Sequence, residues 1–298
     1  MDLLDSWTRS LRAAGRSPAT ISAYLTDARG YLEYLDADLV EATRRDVESY
    51  LVACRDRGLS DATVARRYRS LRQLYRWLED EEELAGPNPM GKMTPPKVVD
   101  QPPPMPSDED VRALVKACRS DAKASNGRHG KFEQARDTAI VLVLATTGIR
   151  ASELIGMRVA DAHLGAETIT VTGKGGRTRV VPLMFQPLEQ LDRYVRARRR
   201  HPSAKYPELW LGERGPLTDS GLRQMLERRC VDAGIDRINP HALRHRFAHV
   251  AKTRGLSDEN LMVLAGWSTP QMLARYGRSA QSERAQQAAR DLFRDERL

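Results

Sequence analysis

The chain has 298 residues, of which 41% are hydrophobic and 30% charged, with a formal net charge of +8. That is enough for about two domains with real cores, and it excludes a disordered chain. Residues 1–10 are acidic and polar and no run of about 18 apolar residues occurs, so neither a signal peptide nor a membrane span is expected. The basic balance favours a polyanionic partner without identifying it. Residues 1–92 carry 14 Lys+Arg against 16 Asp+Glu, so the basic excess lies in the remainder, and any nucleic-acid surface in the first part must come from segregated charge. Cys54, Cys118 and Cys230 lie far apart, without metal-ligand spacing, and suit a reducing cytosol better than a disulfide scaffold.

In chain order, Ser17-Pro18-Ala19-Thr20 supplies an N-cap followed by proline at the first helical position. Ile21, Tyr24, Leu25, Ala28, Tyr31, Leu32 and Leu35 then repeat at helical spacing. Thr43 caps a helix that places Val47, Tyr50, Leu51 and Cys54 on one face. Ser60 caps another, with Val64, Tyr68, Leu71, Leu74, Tyr75 and Leu78 facing a core. On a different face of that helix Arg66, Arg69, Gln73 and Arg76 form a row that can track phosphates or read a groove, or can simply be solvated. Eight prolines between Gly86 and Pro106 exclude a helix or central strand there. The division expected is a helical domain over 1–86, a proline-rich linker over 87–106 and a second domain over 107–298; a long ordered surface loop is the alternative to the linker.

Ser107-Asp108-Glu109-Asp110 is a helix start, and residues 133–146 read as a buried helix. Thr168–Thr172 and Thr178–Leu183 read as strands around the turn Gly173-Lys174-Gly175-Gly176. Helices are expected over Pro187–Arg200, from near Asp219, Pro240, Ser257 and Pro270, and over Gln281–Arg294.

Four motifs precede a late tyrosine, Tyr276. They are Thr-Gly-Ile-Arg-Ala-Ser-Glu-Leu at 147–154, Gly-Lys-Gly-Gly at 173–176, His-Ala-Leu-Arg-His at 241–245, and Leu-Ala-Gly-Trp at 264–267. A phenol with its usual pKa of about 10 is a poor nucleophile. It becomes useful against a phosphodiester whose charge is neutralised by arginines, which stay charged and match phosphate bidentately. Arg150 and Arg244 can form such a clamp, and with a lysine present no metal is required. His241, His245 and His249 repeat at helical spacing, but no carboxylate or cysteine completes a metal site.

In these ordered motifs the chain resembles the tyrosine recombinases of the phage integrase family over nearly its whole length. Ser17, Thr20 and Tyr24 resemble the start of that family's core-binding domain. The resemblance implies a mainly α fold with a small antiparallel β-sheet: an N-terminal helical, SAM-like core-binding domain and a mixed α+β catalytic domain. It implies Tyr276 as the nucleophile forming a 3′-phosphotyrosine, Lys174 as general acid, and His241 beside the phosphate. Glu153 would orient catalytic groups and His245 would buttress the site. Trp267 stands where most members have histidine; its indole N–H donates a hydrogen bond but cannot shuttle protons, and core packing is the alternative. Arg177 and Arg179 compete with Lys174 for the proton-donor role, and Arg177 is a further candidate DNA contact. No cofactor is implied. The partners implied are duplex DNA and further copies of the chain, four on two DNA sites, joined by the tail after Tyr276 through Ala285, Ala288, Ala289, Leu292 and Phe293; intramolecular packing of that tail is the alternative.

The stretch before Ser17 is too short for an arm-binding domain, which favours a compact, arm-less integrase of a phage or mobile element in the bacterial cytosol, or a dimer-resolution recombinase of the Xer type. Trp267 leans the reading towards the integrase. A metal-free topoisomerase of the tyrosine type, a non-catalytic DNA-binding regulator and a metal-dependent nuclease are weaker alternatives.

Overall fold

The structure is a computed structural model, and it describes residues 3–98, 105–120, 128–269 and 290, with the backbone only for Arg128, His129 and Lys174. Two compact units divide between Gln101 and Pro102, inside the proline-rich stretch.

The first unit is helical: α1 (Leu3–Ala13), α2 (Pro18–Leu32), α3 (Arg44–Asp56) and α4 (Asp61–Asp80). Its starts follow from local chemistry. Ser17 Oγ accepts from the Thr20 amide and Ser60 Oγ from the Thr63 amide, while the Thr43 amide donates to Asp46 in a capping box. The expected core face of α4 is sealed: Val64, Tyr68, Leu71, Leu74, Tyr75 and Leu78 are all buried. Around it Trp7, Tyr31 and Tyr50 complete an aromatic core, with Tyr31 packed edge-on against Tyr50 and Tyr75. Helix α1, which the polar start of the chain concealed, enters this core through Leu4, Trp7 and Leu11.

The early part of the proline-rich stretch is packed. Met90 is buried, the Tyr68 hydroxyl donates to the Met93 carbonyl at 2.7 Å, and Asn88 donates to Glu79 at 2.8 Å. Residues 88–93 therefore belong structurally to the first unit.

The second unit contains α5 (Asp108–Arg119), α6 (Arg128–Thr147), α7 (Ala151–Ile155), β1 (Ala162–His163), β2 (Thr168–Thr172), β3 (Thr178–Pro182), α8 (Phe185–Arg198), α9 (Asp219–Ala233), α10 (Pro240–Thr253) and α11 (Asp258–Ala265). Helix α6 is apolar all round from Ala139 to Ala145 and forms the centre, packed against α5, α8 and α10. The strands form an antiparallel sheet in the order β1-β2-β3, with Ile169 opposite Val181; Ile169, Val171 and Val181 point into the core. The mainly α fold with a small antiparallel sheet is thus as expected.

The irregular segment after α8 is organised by buried polar groups. Arg198 donates to the carbonyls of Ala204, Tyr206, Glu208 and Leu209, and Trp210 stacks on Tyr194. The helices expected near Pro270 and over Gln281–Arg294 fall outside the described residues, Arg290 excepted. Among the described residues no helix is long and apolar enough to cross a membrane.

Candidate active site

Three local devices bring the motif residues of the second unit together. The first is the turn between α6 and α7. Gly148 adopts φ +63°, and a Cβ there would lie 2.2 Å from the Phe247 ring of α10. Only glycine suits both the left-handed backbone and this close approach. The turn makes Arg150 the N-cap of α7, where its amide donates to Glu153 at 2.8 Å.

The second device is the start of α10. Asn239 accepts from the Ala242 amide and Pro240 opens the helix. His241 is then exposed on the first turn, while Arg244 and His245 are buried one turn further on. The His241 and His245 rings meet edge to face at 4.3 Å. Among the described residues no metal-type cluster occurs.

The third device is the end of α11. Gly266 closes the helix in the left-handed conformation, and the Trp267 amide turns back to the Met262 carbonyl. Three successive carbonyls here each receive an arginine from a different element. Leu264 accepts from Arg179 of β3 at 2.8 Å, Ala265 from Arg244 of α10 at 2.7 Å, and Gly266 from Arg150 at 2.9 Å. The end of a helix carries partial negative charge on its last carbonyls, so cations are held well there. Arg244 also donates to the Gly148 carbonyl, which ties the second and third devices to the first. Arg244 and Arg150 are thus fixed to neighbouring positions of one backbone segment.

Glu153 sits beneath this cluster with its side chain 2% exposed. Arg179 binds both of its oxygens, at 3.0 and 2.8 Å, and Arg150 binds one at 2.8 Å. Burial pushes the carboxyl up, but the hydrogen bonds from Arg179 and Arg150 outweigh it and hold the pKa at about 2. Glu153 is therefore an ionised anchor, with no proton to give near neutral pH. Trp267 is buried with Ala248, Leu261 and Ala265, and its ring lies 5.0 Å from the Arg244 guanidinium carbon, a cation–π distance.

The hairpin that follows the Glu153 motif carries Lys174 in the turn between β2 and β3, where Gly173 donates to the Arg177 carbonyl at 2.7 Å. The Lys174 side chain and the whole of Tyr276 lie outside what is described. Arg177 is exposed, whereas Arg179 is committed to Glu153 and Leu264. The three cysteines are buried, and burial pushes the Cys118 thiol up to about 12, which removes it as a nucleophile. Tyr194 is equally sealed: its hydroxyl bonds Leu209 and Leu211, and burial raises it to about 12.

On the first unit, Arg69, Gln73 and Arg76 line a cleft of about 720 Å³ with Tyr24 and Arg72, and Glu79 and Asp80 lie at one side. Arg66 departs from that row. Its guanidinium donates at 2.7 Å to the buried carboxylate of Asp27, which also receives Ser70. Arg72, three positions after Arg69 and four before Arg76, joins that row by the same helical spacing.

A model of the phage integrase family matches residues 107–283, and one described as the phage integrase N-terminal SAM-like domain matches residues 4–82. The chain is 32% identical over 253 residues to tyrosine recombinase XerD of Caulobacter vibrioides, covering 80% of this chain and 77% of that one. It is 29% identical over 262 residues to tyrosine recombinase XerD of Listeria monocytogenes, covering 85% of each. The Tn1549 transposon integrase, solved in complex with transposon right end DNA, has the same fold, with a TM-score of 0.73 at 18% identity over 98% of this chain and 99% of that one. With both domain models matched in order and Arg150, Glu153, Arg244 and Trp267 gathered around one helix end, the chain belongs to the phage integrase family and is a tyrosine recombinase, an enzyme that cuts and rejoins DNA.

Proposed function

We propose that the protein is a site-specific recombinase in which Tyr276 attacks a DNA phosphodiester held by Arg150 and Arg244. The observation that carries this reading is the pair of guanidiniums fixed to adjacent carbonyls, Gly266 and Ala265, by arms that leave each planar fork oriented. The phenol oxygen bonds to phosphorus, the bond to the 5′-oxygen breaks, and Lys174 protonates that leaving oxygen. His241, exposed at the start of α10, takes the phenol proton or binds a phosphate oxygen. The 3′-phosphotyrosine keeps the bond energy for rejoining, so neither ATP nor a metal enters the cycle. Trp267 packs on Arg244, and its indole N–H can donate one hydrogen bond but cannot shuttle a proton as a histidine would.

Duplex DNA is the substrate, with Arg69, Gln73, Arg76 and Arg177 among the contacts and Arg66 braced by Asp27. The active assembly is a tetramer on two sites, joined through the tail after Tyr276, in the bacterial cytosol. The role is integration and excision of a phage or mobile element, supported by Trp267. A second reading, Xer-type resolution of chromosome or plasmid dimers, is favoured by the relatives named XerD.

The first experiment maps DNA covalently attached to the protein in cells, which gives the site and separates the two roles: element ends support integration, a chromosomal dimer-resolution site supports the second. A nicked duplex built on that site then tests the chemistry. Tyr276→Phe should abolish covalent trapping and leave DNA binding intact; a covalent complex that persists would assign the nucleophile elsewhere. Relaxation of any supercoiled plasmid without sequence preference would point to a topoisomerase instead.

A further inference from the structure

We infer that Arg179 is a positioning residue for cleavage: it fixes the phosphate clamp by joining Glu153 to the end of α11. This rests on the reading of Arg150 and Arg244 as the clamp.

Arg179 lies on β3, far in sequence from both of its partners, and its side chain is only 14% exposed. All three of its nitrogens are engaged. Nε donates to the Leu264 carbonyl at 2.8 Å, Nη1 to one Glu153 oxygen at 3.0 Å, and Nη2 to the other at 2.8 Å. The planar fork thus meets a carboxylate bidentately while its remaining edge holds a helix end. A lysine cannot reproduce this, since its ammonium is a single point of charge.

The packing beneath it is equally specific. A Cβ on Gly266 would lie 2.6 Å from Arg179 Nη1 and 2.8 Å from its guanidinium carbon. Gly266 is the residue whose carbonyl receives Arg150, and its neighbour Ala265 receives Arg244. Arg179 therefore lies against the segment that orients both clamp arginines, and it also holds the carboxylate that orients one of them. It touches neither of the two guanidiniums by a hydrogen bond of its own, so its effect on them must pass through Glu153 and the 264–266 backbone.

Arg179 also sits on the strand that leaves the Lys174 turn. Its bonds to Glu153 and Leu264 tie that strand to the clamp, so the hairpin carrying the proposed general acid and the arginines that hold the phosphate share one fixed point. This takes Arg179 out of the competition among the basic residues of the hairpin: it has its donors committed to the frame and serves geometry rather than proton transfer.

The test uses the full chain and the nicked duplex built on the mapped site. Single-turnover cleavage and DNA affinity are measured for Arg179→Lys, Arg179→Gln, Glu153→Gln and the double variant Glu153→Gln with Arg179→Gln. A displacement of the clamp by about 1 Å is expected to slow cleavage by roughly 10–100-fold, with affinity within about threefold. Arg179→Lys should fall short of the native rate even though its charge is retained. The double variant should be no slower than Arg179→Gln alone, because both substitutions interrupt one path. Its facing amides also avoid an unpaired buried charge, so it is measurable where Arg179→Gln melts too low. Native rates in Arg179→Lys, or effects of the two substitutions that multiply in the double variant, would overturn the inference. An Arg150→Gln control separates the two readings: if that variant cleaves normally, the clamp assignment itself fails; if it is inactive while the Arg179 variants are normal, only the role of Arg179 fails.

Discussion

In the N-terminal unit the core is aromatic and the arginines of the α4 cleft stand outside it. Trp7, Tyr31, Tyr50, Tyr68 and Tyr75 fill the interior, while Arg69, Arg72 and Arg76 line an open cleft on α4. In the second unit several arginines are part of the interior. Arg136, Arg198, Arg229 and Arg244 are all buried, bonded to main-chain carbonyls, to Asp137, or to both. A guanidinium has several donors and stays charged, so it can stitch irregular backbone together where no helix or strand supplies acceptors with partners. The cleft of the first unit can therefore change its charge without touching the frame; for these four arginines of the second, charge and frame are the same atoms.

The strongest way to break this contrast is Arg198→Ala. Four carbonyls of the segment after α8 lose their donor, and a cost of about 4 kcal/mol is expected from several buried groups left unmet. Urea unfolding measures it; a loss below about 1 kcal/mol would show that the segment holds itself. Next, Arg150→Ala should slow cleavage of the nicked duplex by roughly 10²–10³-fold, the scale seen when one preorganised donor is removed, while binding persists.

Gly148→Ala should cost about 2–3 kcal/mol, from the left-handed backbone and the Phe247 ring together. Adding Phe247→Ala should relieve the steric part only, and full recovery would mean that the backbone angle is not a constraint. A pH titration of stability addresses Glu153. Its folded pKa of about 2 lies below the ordinary value of 4.5, so its stabilising contribution is complete above about pH 4.5 and is lost as pH falls towards 2. Glu153→Gln should flatten that limb of the curve.

The smallest effects belong to the first unit. Arg69→Ala and Arg76→Ala should each leave stability within about 0.5 kcal/mol and reduce the salt dependence of DNA binding by about one unit of slope. Arg66→Ala should behave otherwise, because the buried Asp27 would lose the nearer of its two ion partners; about 2 kcal/mol of stability is expected to go with it.

What could be read from the sequence was what is local. Ser17 with Pro18, Thr43, Ser60 and Ser107 start helices as predicted, and one begins at Pro240, because each cap is satisfied within three residues, by Asp46 at Thr43 and by Asn239 ahead of Pro240. The hairpin around Gly173–Gly176 was equally legible, since turn chemistry and strand alternation agree there. The gathering of Arg150, Glu153, Arg244 and Trp267 was legible through ordered motifs and not through any periodicity. Arg179 was not: it looks like one of several basic residues on a hairpin, and its partners lie 26 and 85 positions away. Arg66 was misleading for the same reason, since helical spacing puts it in a row with Arg69 and Arg76 while Asp27, 39 positions earlier, decides where its charge goes. Residues 88–93 hid their packing among the surrounding prolines, because proline density reports what a segment cannot form and says nothing of what its side chains meet.

The three carbonyls at the end of α11 have a consequence for how this gene can vary. Their acceptors are spaced by single residues, and their donors come from β3, α10 and the start of α7, so the arrangement works as a key cut to one register. An insertion of one residue between Leu264 and Gly266 would offer each arginine the wrong tooth, however conservative the added side chain. Tyr276 follows Gly266 by ten positions, and the length of chain available to it is measured from that fixed notch. The count of residues across this point is therefore set by geometry, because each of the three arginines is matched to one carbonyl.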